Sequence, residues 1–235
     1  LNESGDKMLV RDVCENNRIL SRSNPATMAK MLSYGLIRSY KKGELIFRER
    51  EDVSQLYFLA DGYAALFRIN SNQDRKVVFV YGNHEMLNEV VLQEPIASIS
   101  CVALSDVKVL IFSRKNFREM MEGDFCLTTA VMGSLSLKLR RCYRQLGNTP
   151  NTMCLDRQLA SKLWKLGRDF GEDEDGKLRI GFEITVTFLA DMLGAKRETV
   201  SRAVSRFRKA RMIALQKNAL YILDPEALRL YALNR

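Results

Sequence analysis

A chain of 235 residues, 46% hydrophobic and 28% charged, can bury a sizeable core as one large domain or two smaller ones. Its net charge of +9 and pI near 9.4 point to a polyanionic partner, nucleic acid ahead of an acidic membrane surface. No apolar run approaches the roughly 18 residues a membrane helix needs, and a single histidine, His84, leaves zinc sites and histidine triads poorly supplied.

The polar start, Leu1 to Lys7, lacks the apolar core of a signal peptide. Cys14, Cys101, Cys126, Cys142 and Cys154 are scattered and form no C-x-x-C pair, so they read as free thiols of a cytoplasmic protein. Residues 1–33 read as a helical segment, in which Asn24-Pro25 can open a short helix carrying Met28, Met31 and Leu32 on one face.

From Tyr40 short apolar runs alternate with turns. The expected strands are Glu44–Phe47, Leu56–Leu59, Tyr63–Ile69, Lys76–Tyr81, Ile96–Leu104 and Val107–Phe112. Asn70 to Asp74 has the chemistry of a hairpin turn. Gly43, Gly62 and Gly82 are expected at corners that need a positive φ. This is the texture of a β-sandwich or roll, assigned to residues 34–123.

The period then lengthens. A short helix around Phe117, Met120 and Met121 leads into a long one over residues 124–147. Leu127, Val131, Leu135, Leu139, Cys142 and Leu146 form a narrow apolar stripe along it. Such a stripe is either a dimer seam or a face packed on the chain's own β-domain. Gly147 to Thr152 breaks the helix, which sets the start of a C-terminal domain at 148–235. There a helix over Leu155–Phe170, an acidic loop over Gly171–Gly176 and a small strand pair through Ile184 are expected.

The segment from Thr185 to Met212 carries the function. Thr187 is a plausible cap for a first helix, Gly194 suits a turn, and a second helix starts near Lys196 and Arg197. Val200, Val204 and Phe207 share its inward face, while Glu198, Ser201, Arg202 and Ser205 face out. Two helices about a glycine turn, the second basic outside, form a helix-turn-helix. An arginine fork can grip guanine O6 and N7, and a carboxylate can accept from cytosine N4. Glu198 among so many cations therefore reads as a base reader, with Arg202 beside it, and Ser201 can contact a base edge or a phosphate. Lys196, Arg206, Arg208, Lys209 and Arg211 are assigned to backbone contacts and Arg197 to phosphate or flanking contacts, and Thr187, Thr199 and Ser205 complete the expected DNA-binding set. Ile213 to Leu223 reads as a wing hairpin, and Asp224-Pro225 opens a last helix.

In this order Lys42-Gly43-Glu44-Leu45-Ile46-Phe47, Leu56 to Gly62, Tyr81-Gly82, Val109-Leu110-Ile111 and Arg197-Glu198-Thr199-Val200-Ser201-Arg202 resemble the cyclic-AMP receptor protein/FNR family of bacterial transcription regulators. The resemblance implies an α+β chain: a β-roll effector domain, a dimerising helix and a winged helix-turn-helix. It also implies a cytoplasmic homodimer on double-stranded DNA, with RNA polymerase as a further partner and no membrane. Glu198, Ser201 and Arg202 match the family's base readers in the FNR form, which implies a TTGAT-like half-site in an inverted repeat.

The departures lie at the input end. The family's cyclic-nucleotide site falls on Asn88-Glu89 and Ala97-Ser98, so the arginine that would pair with the phosphate is absent. The pair that would meet the base falls on Cys142-Tyr143. Cyclic AMP is therefore not expected, nor is an iron–sulfur cluster, since only Cys14 lies in the N-terminal region. His84 offers thin support for haem. An unidentified small-molecule or redox effector is expected instead, in a pocket near Cys142 and Tyr143 or through Cys14, Cys142 or Cys154; a collapsed pocket is the competing reading. Two alternatives stand beside the DNA-binding regulator. One is a ligand sensor acting through protein contacts with a vestigial DNA-binding domain. The other is an enzyme, for which no catalytic constellation is found.

Overall fold

The computed structural model describes residues 3–147, 154–217 and 219–233. The sequence break at 148–152 lies outside them. Two compact units emerge, one of residues 1–67 and 79–144, the other of residues 68–78 and 145–235. The N-terminal helices group with the β-domain rather than standing apart.

In the first unit α1 (Glu3–Asn16) and α2 (Pro25–Tyr34) precede the strands. The Asn24 side chain caps α2 by accepting from Thr27 N at 2.8 Å, and proline follows where a missing N–H costs nothing. Seven strands follow: β1 (Leu36–Tyr40), β2 (Leu45–Phe47), β3 (Gln55–Asp61), β4 (Ala64–Ile69), β5 (Arg75–Tyr81), β6 (Ser100–Ala103) and β7 (Val107–Ser113). They form two sheets, ordered β1-β7-β3 and β2-β6-β4-β5, over one apolar core. Phe58, Phe112 and Phe117 meet at its centre with ring centroids 5.4–5.8 Å apart.

Several expectations shift. β1 precedes the expected start of the β-texture, and the run Ile96–Leu104 narrows to β6, with Ile96 left in an isolated bridge to Asp52. Gly43 and Gly62 do take positive φ, 86° and 91°. Gly82 does not; the left-handed residue near it is His84, φ 70°.

Helix α3 (Arg114–Gly123) leads to α4 (Phe125–Gly147). Asp124 joins them. It is buried, and its carboxylate accepts from Cys126 N, Leu127 N and Asn24 N. Burial alone would push its pKa up, but these bonds and one from Thr27 hold it below the usual carboxylate range.

In the second unit α5 (Leu155–Phe170) is followed by β8 (Gly171–Glu174) and β9 (Lys177–Ile180). The expected acidic loop is thus mostly strand, and the strand pair sits earlier than expected. Asp175 and Gly176, φ 55° and 74°, supply the two left-handed residues of a tight hairpin turn. The wing hairpin β10 (Ile213–Gln216) and β11 (Ala219–Ile222) extends this sheet in the order β10-β11-β9-β8. Helices α6 (Val186–Leu193), α7 (Arg197–Lys209) and α8 (Pro225–Leu233) complete the unit.

Candidate DNA-reading surface and effector site

The cap of α6 is Thr185, whose hydroxyl accepts from Phe188 N at 3.0 Å; Thr187 stands exposed in the first turn instead. Gly194, φ 66°, ends the helix in the left-handed region, where a side chain would be strained. Three residues later α7 begins. Val200, Ala203, Val204 and Phe207 are buried, while Lys196, Arg197, Glu198, Thr199, Ser201, Arg202 and Ser205 are exposed. The sequence pattern therefore sorts the residues correctly between core and surface. The surface residues form a polar, cationic face.

Arg206 departs from its expected role. Its guanidinium grips Asp156 of α5 in a fork, Nε to Oδ2 at 2.9 Å and a terminal nitrogen to Oδ1 at 2.5 Å. That bond braces the reading helix against α5 and spends a cation assigned to DNA. The two residues lie fifty positions apart, so no local signal marks the pair.

In the first unit, the six residues expected to line the effector pocket stand in different settings. Asn88 is a structural clip: its side chain accepts from Tyr57 N and donates to Gln55 O, both at 2.9 Å. Ala97 is buried in the core, Ser98 is exposed, and Tyr143 is 62% exposed on α4. Cys142 is half-buried on the same helix.

Glu89 is buried, and both its carboxylate oxygens are occupied by α4. The Ser134 hydroxyl donates to Oε1 at 2.7 Å, and the Lys138 ammonium pairs with Oε2. Lys138 also donates to Met86 O at 2.6 Å and lies over the Tyr81 ring, 4.7 Å from its centroid. Sequence reading missed Lys138 because its partner is distant in the chain; a lone lysine among the helix's apolar residues was the available hint. Among the redox candidates, Cys14 is fully buried and its thiol is pushed up to about 12, chiefly by burial, so it is not a reactive thiolate.

The stripe on α4 divides. Leu127 and Val131 are buried in the core of their own unit and drop out of any seam. Met132, Leu135, Leu139 and Leu146 are exposed, by 39–67%. The stripe is thus half core and half exposed.

Residues 37–124 match the cyclic nucleotide-binding domain model, and residues 157–231 match the Crp-like helix-turn-helix domain. The chain belongs to the CRP/FNR family of transcription regulators. A CRP-like cAMP-activated global transcriptional regulator of Mycobacterium tuberculosis is 25% identical over 190 residues, 80% of this chain and 84% of that protein. The nitrogen fixation regulation protein FixK of Rhizobium meliloti is 26% identical over 86% of this chain and 89% of its own length. The fold matches that of FixK2 from Bradyrhizobium japonicum with a TM-score of 0.71 at 18% identity, covering 83% of this chain and 96% of that one. This CRP/FNR chain is a DNA-binding regulator with a cyclic-nucleotide-binding-like domain, and not an enzyme. Among the described residues, no helix is long and apolar enough to cross a membrane.

Proposed function

We propose that this regulator binds an inverted repeat of TTGAT-like half-sites as a homodimer, reading bases through Glu198, Ser201 and Arg202. The exposed face of α7 carries the reading: its polar residues are free of intramolecular duty where Arg206 is not. Glu198 accepts from a cytosine N4, Arg202 donates to a guanine, and Lys196 and Arg197 neutralise phosphates. The exposed leucines of α4 supply the seam, which sets the two reading helices about one duplex turn apart. Selection of duplexes from a random pool tests this. Enrichment of an inverted TTGAT-type repeat is expected, and equal affinity for scrambled duplex overturns it. Charges introduced at Leu135 and Leu139 are expected to leave a monomer in sedimentation and to weaken binding to the repeat at least tenfold.

The effector of the β-roll is not cyclic AMP in this reading, although the mycobacterial relative is named for that activator. The position expected to meet the phosphate holds the buried methyl group of Ala97, and Glu89 is already paired with Lys138. A cyclic phosphate would be desolvated there without a charged partner. Control then comes through another small molecule or through RNA polymerase contacts. Titration with cyclic AMP is expected to leave both the melting temperature and the affinity for the repeat unchanged.

A further inference from the structure

A cleft of about 320 Å³ opens in the first unit between the turn after α1, the segment after β5 and one side of α4. Glu89, Ala97 and Ser98 do not line it, but Ser134 and Lys138, which hold Glu89, form part of its wall. Arg18, His84, Glu85, Lys138 and Arg141 bring the charge; Ile19, Ala130 and Leu137 bring the apolar surface.

Two features of the walls are costly to the fold. The first is His84. It holds a left-handed φ of 70°, fixed by hydrogen bonds from its own N–H to Leu59 O at 2.8 Å and from the Asn17 side chain to its carbonyl at 2.9 Å. Asn17 is fully buried and also accepts from Ile19 N and Leu20 N, so one side chain sets both the turn bearing Arg18 and the imidazole opposite. The imidazole Nδ1 is buried without a hydrogen-bond partner. Strained backbone and unsatisfied polar atoms in a native fold call for a functional reason.

The second feature is Gly133. Glycine in the middle of a 23-residue helix sacrifices helix stability relative to alanine. Close approach of another element of the same chain would explain it, yet a Cβ built there meets nothing within 4 Å in this chain. Gly133 lines the cleft, and the space beside it is open.

The charge balance names the ligand. Lys138 is paired with Glu89, whereas Arg18 and Arg141 have no ion-pair partner among the described residues. One of their charges offsets Glu85, and the other is left over. We propose that this cleft binds a small organic acid, its carboxylate between Arg18, Arg141 and His84 and its hydrocarbon body against Ile19, Ala130 and Leu137. Guanidinium forks suit a carboxylate, and the cleft volume suits a body of a few carbons. Ala130, Gly133, Leu137 and Arg141 recur at three or four residues on one side of α4, with Met132, Leu135 and Leu139 roughly opposite. Pairing of two subunits through the exposed leucines therefore leaves the cleft uncovered. The inference concerns binding alone and holds whether or not the protein reads a TTGAT-like repeat.

His84 is the sole histidine, so its imidazole C–H signals form a single reporter in proton NMR of the untagged full chain. Benzoate and hexanoate are the probes, with benzamide and hexanamide as their neutral counterparts. Saturable shifts of the His84 signals are expected with at least one acid, and at least tenfold weaker binding of its amide. Gly133→Met puts a side chain into the space, where a Cβ meets nothing within 4 Å, and Arg18→Gln/Arg141→Gln removes the charge. Each is expected to keep the fold by circular dichroism and to weaken acid binding tenfold or more. No saturable shift with either acid at tens of millimolar overturns the proposal, as does equal affinity for acid and amide, or undiminished binding by Gly133→Met.

Discussion

Two glutamates show how differently the two units treat the same side chain. Glu198 stands exposed on the first turn of α7 among cations. Glu89 is buried in the β-domain with both oxygens taken by Ser134 and Lys138. A surface meant for a partner leaves its polar groups unsatisfied by the chain, because water holds them cheaply until the partner arrives. A buried carboxylate cannot wait in that way, since desolvation without a partner costs several kcal/mol. The output end is therefore open, while the acid at the input end is closed by the chain's own helix.

Substitutions on each side should separate the two. Lys138→Met leaves Glu89 buried and unpaired, and chemical denaturation is expected to show a loss of about 3–5 kcal/mol. Glu89→Gln added to it should recover much of that loss, because the stranded charge is gone. If Lys138→Met costs no more than a surface change, Glu89 is not closed as described. Glu198→Ala should behave in the opposite way: stability within about 0.5 kcal/mol of the parent, but discrimination at one base pair reduced by about 1–3 kcal/mol. A uniform loss across all duplexes would make Glu198 a structural residue instead.

Asp124 offers a titration inside the first unit. Its folded pKa lies below the ordinary value, so its capping bonds stabilise the protein above the usual carboxylate range. That stability is lost as pH falls through the folded value. Asp124→Ala should cost about 1–2 kcal/mol at neutral pH, and the gap from the parent should shrink in acid melts. The smallest effect is expected at the brace between α5 and α7. Asp156→Ala frees Arg206, and the slope of log affinity against log salt should steepen by about one unit. An unchanged slope would mean that Arg206 cannot reach a phosphate even when released.

How much of this was legible beforehand follows from the range of each signal. The faces of α7 could be read from local spacing, because burial of Val200, Val204 and Phe207 is imposed by helical period alone. The strand β8 was hidden, since its Glu172, Asp173 and Glu174 carry no apolar alternation and are exposed on the finished sheet. β1 was hidden similarly: it is an edge strand, and no residue in it is fully buried. The pairs Lys138–Glu89 and Arg206–Asp156 span 49 and 50 positions, and charge at such separations leaves no periodic trace. The corner assigned to Gly82 failed for another reason. Glycine tolerates a left-handed backbone but does not compel it, and here His84 takes the strain, held by Asn17.

One consequence concerns the length of α4. Each residue advances the helix by about 100°, and its sides already have separate duties: Leu127, Val131 and Lys138 toward the β-roll, Leu135 and Leu139 outward, Gly133 and Leu137 along the cleft. Inserting a single residue between Ser134 and Leu135 would swing everything beyond it out of phase, pulling Lys138 off Glu89 while turning Leu139 away from its place. Seven residues would nearly restore the angles but displace the later groups by about two turns. A substitution along such a rod touches one duty, whereas a change in its count upsets every later one at once, so the gearing of this helix resists drift in length more strictly than drift in composition.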